Sequence, residues 1–598
     1  MWAPDRKSVE LVADDGRVHR LERENGGYFA GVAEGVGPGT RYRFRLDGQE
    51  VFPDPASRFQ PDGPHGPSMV IDSGEYPWSD TDWRGVSLDD AVIYELHVGT
   101  FTKAGTFRAV IDRLPDLVDL GVTVIELMPV AEFAGQFGWG YDGVALFAPF
   151  HCYGTPDDLR ALVDAAHRLE LAVILDVVYN HLGPDGNYTM KYAAQYYSGQ
   201  HTEWGDALNF DGNDSAPVRE FFVSNARYWT SEFHVDGLRL DATQQIFDTS
   251  EPHIITEVAA AVRDAAGARR TLVIGENEPQ QSTLLKSRDD GGSALDGLWN
   301  DDFHHSARVA ATGRNEAYYD GYRGNAQELL SAIKYGFLYQ GEWYHWQKQR
   351  RGTPSLDVSR WRFIHFLQNH DQVANSARGQ RINQESSSGR CRALTALLLL
   401  GPETPMLFQG QEFAASSPFL YFADHAPELA AKVRTGRADF VAQFPSIAAR
   451  DAHERIDEPA DPWTFLRCKL DWNERRRNKS TLGLHRDLLR LRREDPVIRN
   501  RGSGRMDGSV INEHAFVLRW FGDAGDDRLL IVNLGPRFHG RPLAEPLVAP
   551  PTRRGWRTVL STEEARYGGW GAPTVETQDD GWWIPAESAT LLAPEIQA

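Results

Sequence analysis

Across most of its length the chain repeats one unit, a short apolar strand followed by a stretch whose apolar residues recur at helical spacing. That repeat restricts the fold more than any other feature. Strand candidates fall at 92–101, 122–130, 172–181, 237–242, 272–278, 295–303, 362–371 and 404–412, eight in all, and eight is the number that closes a (β/α)8 barrel. The sixth carries the shortest periodic signal. Between strands the helices are well marked. Thr155 can cap one, Pro156 suits its first position, and Asp158 stands three residues after the cap. Leu159, Leu162, Val163, Ala166 and Leu169 then share a face, and the buried-type run 172–178 follows at once. A helix at 482–494 is expected to close the barrel.

A chain of 598 residues exceeds what one core supports. Before the repeat, alternating stretches at 8–13 and 42–46 between Gly, Asp and Asn clusters predict a small β-sandwich. The Pro- and Gly-rich stretch 53–67 leads out of it. Beyond Arg501 the pattern returns to strands, at 515–520 and 529–533. The expected organisation is α/β: residues 1–85 an immunoglobulin-like β-sandwich, 86–500 a (β/α)8 TIM barrel with insertions, and 501–598 a carboxy-terminal β-sandwich.

Sixty-three basic against 84 acidic residues leave a net charge of -21, which repels nucleic acid and anionic membrane surfaces and suits a neutral substrate. Cys152, Cys391 and Cys468 lack the spacing of a disulfide framework or a zinc site, which points to a reducing cytoplasm. The first residues lack the pattern of a signal peptide, and the longest apolar run, 394–400, is too short to span a bilayer. The expectation is a soluble cytoplasmic protein. Seventeen Trp residues exceed what a core of this size needs and suit a surface that stacks on sugar rings, although any single Trp is ordinarily core.

Side chains at the carboxyl ends of barrel strands converge on one mouth. Here Asp176, Asn180 and His181 end one strand, Arg239 and Asp241 another, Glu276 a third, and His370 with Asp371 a fourth. Retaining glycoside hydrolysis needs two carboxyls about 5 to 5.5 Å apart, one to attack the anomeric carbon and one to protonate the departing oxygen. Asp241 is the candidate nucleophile because Arg239, two residues earlier on the same face, can hold it ionised. Glu276 follows only small or apolar residues, a setting that raises a carboxyl pKa toward that of a proton donor. Glu278 remains an alternative. Asp371 beside His370 would grip ring hydroxyls. An Asp after a strand is ordinarily a turn or cap residue, so the joint placement carries the reading. No His-x-x-x-His or Glu-x-x-His spacing accompanies these acids.

The segments Asp176-Val-Val-Tyr-Asn-His181, Gly237-Leu-Arg-Leu-Asp241, the strand ending at Glu276, and Asn369-His-Asp371 resemble, in order, the four signature regions of the α-amylase superfamily. Within it the chain resembles the maltooligosyltrehalose trehalohydrolase family, through Asp54-Pro-Ala-Ser-Arg-Phe-Gln-Pro-Asp-Gly-Pro-His-Gly-Pro-Ser68, Gly138-Trp-Gly-Tyr-Asp-Gly143 and Pro418-Phe-Leu-Tyr-Phe-Ala-Asp-His425. The resemblance covers nearly the whole chain. It implies cleavage of the α-1,4 bond next to the terminal trehalose of maltooligosyltrehalose, within trehalose biosynthesis. It also implies that His181 binds a 6-hydroxyl, that Arg239 supports the nucleophile, and that His370 with Asp371 binds the 2- and 3-hydroxyls. Tyr141 would be a sugar-stacking platform with Trp139 close to it, and Asp176 a structural member of the network. Asn180 sits where calcium-binding amylases place a ligand, but relatives keep it without calcium, so neither metal nor cofactor is expected.

The catalytic strand reads Ile-Gly-Glu-Asn where the family usually has Ile-Ala-Glu, a mild departure. The chain starts very near the Trp-Ala-Pro of the family's first strand, implying a few preceding residues. The main alternative is a glycogen branching enzyme, which shares the catalytic set but passes its glucosyl intermediate to a sugar hydroxyl. A non-catalytic glucan-binding barrel would be marked by a lost carboxylate. None of the three is lost here.

Overall fold

The computed structural model describes residues 1–202, 204–376, 378–448, 456–500, 505–540, 543–577 and 581–596. The expected boundary at 500/501 falls beside residues outside this set. All eight strand candidates form strands: β1 Ile93–Leu96, β2 Val124–Leu127, β3 Ala172–Val177, β4 Gly237–Leu240, β5 Leu272–Gly275, β6 Gly297–Trp299, β7 Phe363–Phe366 and β8 Thr404–Phe408. They pair in parallel in chain order, and β8 closes onto β1. Each strand is shorter than its apolar run, because the polar residues at the run's end leave the ladder for the loops that build the mouth.

The period of two along each strand divides two environments. Ile93, Val124, Ala172, Ile174, Leu272, Ile274, Trp299, Ile364, Phe366 and Met406 form one buried cluster inside the barrel. Tyr94, Leu96, Ile125, Leu127, Val173, Leu175, Leu238, Leu240, Val273 and Leu298 join the larger cluster between barrel and helices. Gly237 opens β4 at φ 150°, where a Cβ would lie 1.8 Å from the Leu272 carbonyl oxygen. Only glycine lets β4 and β5 close at that point.

The helix Pro156–Arg168 begins as expected. Thr155 Oγ1 accepts from Asp158 N at 3.3 Å, and Asp158 Oδ2 accepts from Thr155 N at 2.8 Å. Near its end His167 bridges Asp80 (2.8 Å) and Asp236 (2.9 Å), tying the incoming segment to the residue before β4. The apolar helix Ser388–Leu400 is covered on several sides, by the barrel, by the helix Lys479–Glu494 and by a carboxy-terminal strand. Arg492 locks this corner by donating to the carbonyls of Leu399 and Gly401 at 3.1 and 2.6 Å.

Before the barrel, six strands pair in one sheet around Ala3, Val9, Leu21, Phe29, Phe44 and Leu46. Trp2, buried, meets Tyr196 edge-on, and Tyr28 donates to Glu220 at 2.6 Å, so both are packing residues. After the barrel, a five-stranded and a three-stranded sheet enclose Val517, Leu529, Ile531, Trp582, Ile584 and Leu592. The alternate residues Phe516, Leu518, Leu530, Val532 and Leu591 face the barrel's own core. No helix among the described residues is long and apolar enough to cross a membrane. Thr155→Ala removes half of a reciprocal cap and is expected to cost about 1 kcal/mol. The readout is a lower denaturation midpoint, and an unchanged one would mean that tertiary packing alone fixes the helix start.

Candidate active site

The guanidinium of Arg239, on the inward face of β4, is fully buried. Its Nη1 donates to Asp176 Oδ1 and Oδ2 at 2.8 and 2.7 Å and to Asp241 Oδ1 at 2.9 Å, while Nη2 donates to Glu276 Oε2 at 2.7 Å. The Trp299 ring lies against it, 4.1 Å from the guanidinium carbon. One cation thus gathers acids from three strand ends.

Exposure then sorts the acids. The Asp176 side chain is 1 % exposed, against 14 % for Asp241, 23 % for Glu276 and 39 % for Asp371. Only the last three can meet a substrate. Asn180 Nδ2 donates to the second Asp241 oxygen at 2.8 Å, so both carboxylate oxygens are oriented. The backbone N–H of Ala242 donates to Glu276 Oε2 at 3.0 Å. Burial pushes the Glu276 carboxyl up to about 8; Arg239 opposes this, and the charges of Asp241, Asp371 and Asp301 add to it. Glu278, the alternative, is half exposed and lies 3.7 Å from Arg351, outside this cluster.

His370 Nδ1 donates to Glu95 Oε1 at 2.5 Å, and its Nε2 lies 2.9 Å from the Tyr141 hydroxyl and 3.3 Å from Asp371 Oδ2. Burial disfavours its charge, but Asp371 and Glu95 outweigh burial and raise its pKa well above the ordinary value. An imidazolium with acceptors on both sides results. In turn His370 draws the Asp371 carboxyl below its usual range against the opposing effect of burial. Tyr141 donates to Asp176 at 2.6 Å and stacks on His370, with ring centres 5.2 Å apart. His181 Nε2 meets the Tyr141 carbonyl at 3.1 Å.

All ten residues singled out from the sequence gather at this mouth. Trp139 is buried behind two of the others: it is 6 % exposed, donates to the Leu420 carbonyl at 2.9 Å and packs on Tyr141, His370 and Phe419. Sequence reasoning missed Glu95, Trp299, Asp301 and Arg437. The first three stand at or just beyond strand ends, where the rule that found Asp241 applies equally. Arg437 belongs to the helix Pro427–Ala442, with no such signal, and its charge helps hold Asp371 down. Leu295 and Leu298 occupy the space beside Gly275 where an alanine methyl would sit, which accommodates the Gly for Ala departure.

Two of the three distant stretches that carried the finer resemblance meet each other, and the third meets a neighbouring loop. Gly138 bridges Ala423, Gln136 N donates to Asp424 at 2.8 Å, and His425 lies 3.5 Å from Asp142. His65 reaches Tyr188 at 2.7 Å, in the loop that follows His181. Among the described residues no group of three or more His, Cys, Asp or Glu is arranged to hold a metal ion.

Residues 76–204 match the alpha amylase catalytic domain, and 503–577 match a domain of unknown function, DUF3459. The chain is 44% identical to a malto-oligosyltrehalose trehalohydrolase of Deinococcus radiodurans over 90% of this chain and 87% of that one. It is 38% identical to the enzyme so named from Saccharolobus solfataricus, over 84% and 86%. A 1,4-alpha-glucan branching enzyme of Rhodospirillum rubrum is more distant, at 25% over 100% and 78%. A crystal structure of a Salmonella typhimurium chain described as an alpha amylase superposes with a TM-score of 0.87 at 36% identity, covering 99% of this chain and 97% of that one.

Removing the shared cation from one side leaves three carboxyls unneutralised, and breaking a buried pair in this way costs about 3–5 kcal/mol. Arg239→Met is therefore expected to unfold at markedly lower denaturant. A midpoint equal to that of the parent would show that Arg239 is not the electrostatic centre of the site.

Proposed function

The chain belongs to the malto-oligosyltrehalose trehalohydrolase family of the α-amylase superfamily, and from that premise we propose that it releases trehalose from maltooligosyltrehalose by retaining hydrolysis of the adjacent α-1,4 bond. The observation that carries the chemical assignment is the single guanidinium shared by Asp241 and Glu276. It favours the short spacing, about 5 to 5.5 Å, at which one carboxyl attacks and the other protonates.

Asp241, oriented by Arg239 and Asn180, attacks the anomeric carbon. Glu276 gives its proton to the glycosidic oxygen, and trehalose departs carrying it. The Glu276 carboxylate then takes a proton from water, whose oxygen attacks the glycosyl ester. The carbon–Asp241 bond breaks and the original anomeric configuration returns. Asp371 and the His370 imidazolium bind adjacent ring hydroxyls, His181 a 6-hydroxyl, and the Tyr141 ring stacks on the sugar. Trp139, buried behind Tyr141 and His370, acts through them. Asp176 and Asn180 hold the network without touching the sugar.

A place in trehalose biosynthesis in the cytoplasm fits this substrate and the three unpaired cysteines. The branching-enzyme alternative has the weaker support, since its relative shares fewer residues over a smaller part of its own length.

Purified protein incubated with maltotriosyltrehalose is expected to release free trehalose, and with maltopentaose to yield little product. Asp241→Asn and Glu276→Gln should each abolish the reaction. New α-1,6 branches on amylose without trehalose would reassign the chain to branching. Because the Glu276 carboxyl is raised to about 8 and must donate a proton, kcat/KM should hold below that pH and fall as pH rises through about 8. An alkaline limb far from 8 would speak against Glu276 as the donor.

A further inference from the structure

Two consecutive acids follow β6, and the fold treats them oppositely. Asp302 is fully buried and saturated: it accepts from Gln280 and Tyr322 at 2.6 Å each and from the backbone N–H groups of Leu338 and Tyr339 at 2.7 and 2.9 Å. Asp301 is the first residue of the helix Asp301–Thr312, which Asn300 caps by accepting from Phe303 N at 3.1 Å. Its side chain is 15 % exposed and accepts no hydrogen bond among the described residues. The nearest cation, Arg351 Nη2, lies 3.9 Å away, outside hydrogen-bond distance. A carboxyl so placed still wants donors.

Barrel order fixes where it stands. β6 lies between β5 and β7, so Asp301 stands between Glu276 and Asp371. Its charge acts on Glu276, and that of Asp371 acts on it. Tyr141, His181 and Asn180 follow β2 and β3, across the mouth. Glu276 faces the oxygen that leaves, so a group beyond Glu276 and away from Tyr141 faces the leaving sugar. The hairpin Glu342–Tyr344 and Gln349–Arg351 extends the same side. Its Arg351 lies near Asp301, its Gln347 contacts Glu278, and it exposes Trp346 by 41%.

We propose that Asp301 is the specificity-determining residue of the leaving side, its carboxyl accepting hydrogen bonds from hydroxyls of the departing trehalose, with Arg351 behind it and Trp346 offering a ring face. The inference rests on the trehalose-releasing reading. Trehalose ends in a second glucose joined through both anomeric carbons. It therefore presents a hydroxyl array where a maltooligosaccharide presents a 1,4-linked reducing end, and a carboxyl with unfilled hydrogen-bonding capacity at that place discriminates between them.

The test compares the parent, Asp301→Asn and Asp301→Ala on maltotriosyltrehalose and on maltopentaose, with inhibition by free trehalose measured in parallel. Loss of the carboxyl should lower kcat/KM on the trehalose-ended substrate by about 10-fold or more. Cleavage of maltopentaose should change little, and inhibition by trehalose should weaken. Equal losses on both substrates, the mark of a structural role, would overturn the proposal, as would an unchanged ratio of the two kcat/KM values. If the parent itself released no trehalose, the trehalose-releasing reading would fall first, an outcome distinct from failure of the Asp301 assignment.

Discussion

One buried guanidinium holds this site together. A cation removed from water survives only when paired and hydrogen-bonded, and Arg239 meets that condition with Asp176, Asp241 and Glu276 around it and the Trp299 ring against it. The same bonds let three acids from different strands share a small cavity without forcing one another out. Arg239 is thus at once the neutralising charge and the link that holds Asp241 and Glu276 close together.

Beneath it the interior changes from apolar to polar over a single pleat. Ile93, Val124, Ile174 and Ile274 fill the lower barrel, and two residues further along their strands stand Glu95, Glu126, Asp176 and Glu276. Glu126 is buried beside Glu95, in register with it on the neighbouring strand, and its oxygens find no hydrogen-bond partner among the described residues. Burial, reinforced by the nearby Glu95 and Asp176, pushes its carboxyl well above the usual range. Glu95 in turn accepts from His370, whose charge holds the Asp371 carboxyl down.

Much of the architecture was legible from local pattern. All eight strands, including the short sixth, coincide with the expected runs, and the capped helix at Pro156 starts where Thr155 and Asp158 place it. Strand-end logic found Asp241, Glu276 and Asp371, and applied to the sixth strand it would also have found Asp301. Trp139 stands close to Tyr141 as its motif implies, but buried. Its burial depends on Phe419 and Leu420, nearly three hundred residues away in the chain, which no local pattern encodes.

By itself the sequence determined the barrel, its strand order and the residues that end each strand, because period and strand-end position are local properties that survive without knowledge of contacts. The motifs likewise carried the family. Only the tertiary structure decided that one arginine serves three carboxyls, that Glu276 rather than Glu278 enters the cluster, and that Asp302 is satisfied while Asp301 is not. These are matters of distance and burial between segments far apart in the chain. Desolvation and charge act through space, so the chemistry of each acid is fixed only once the barrel has closed.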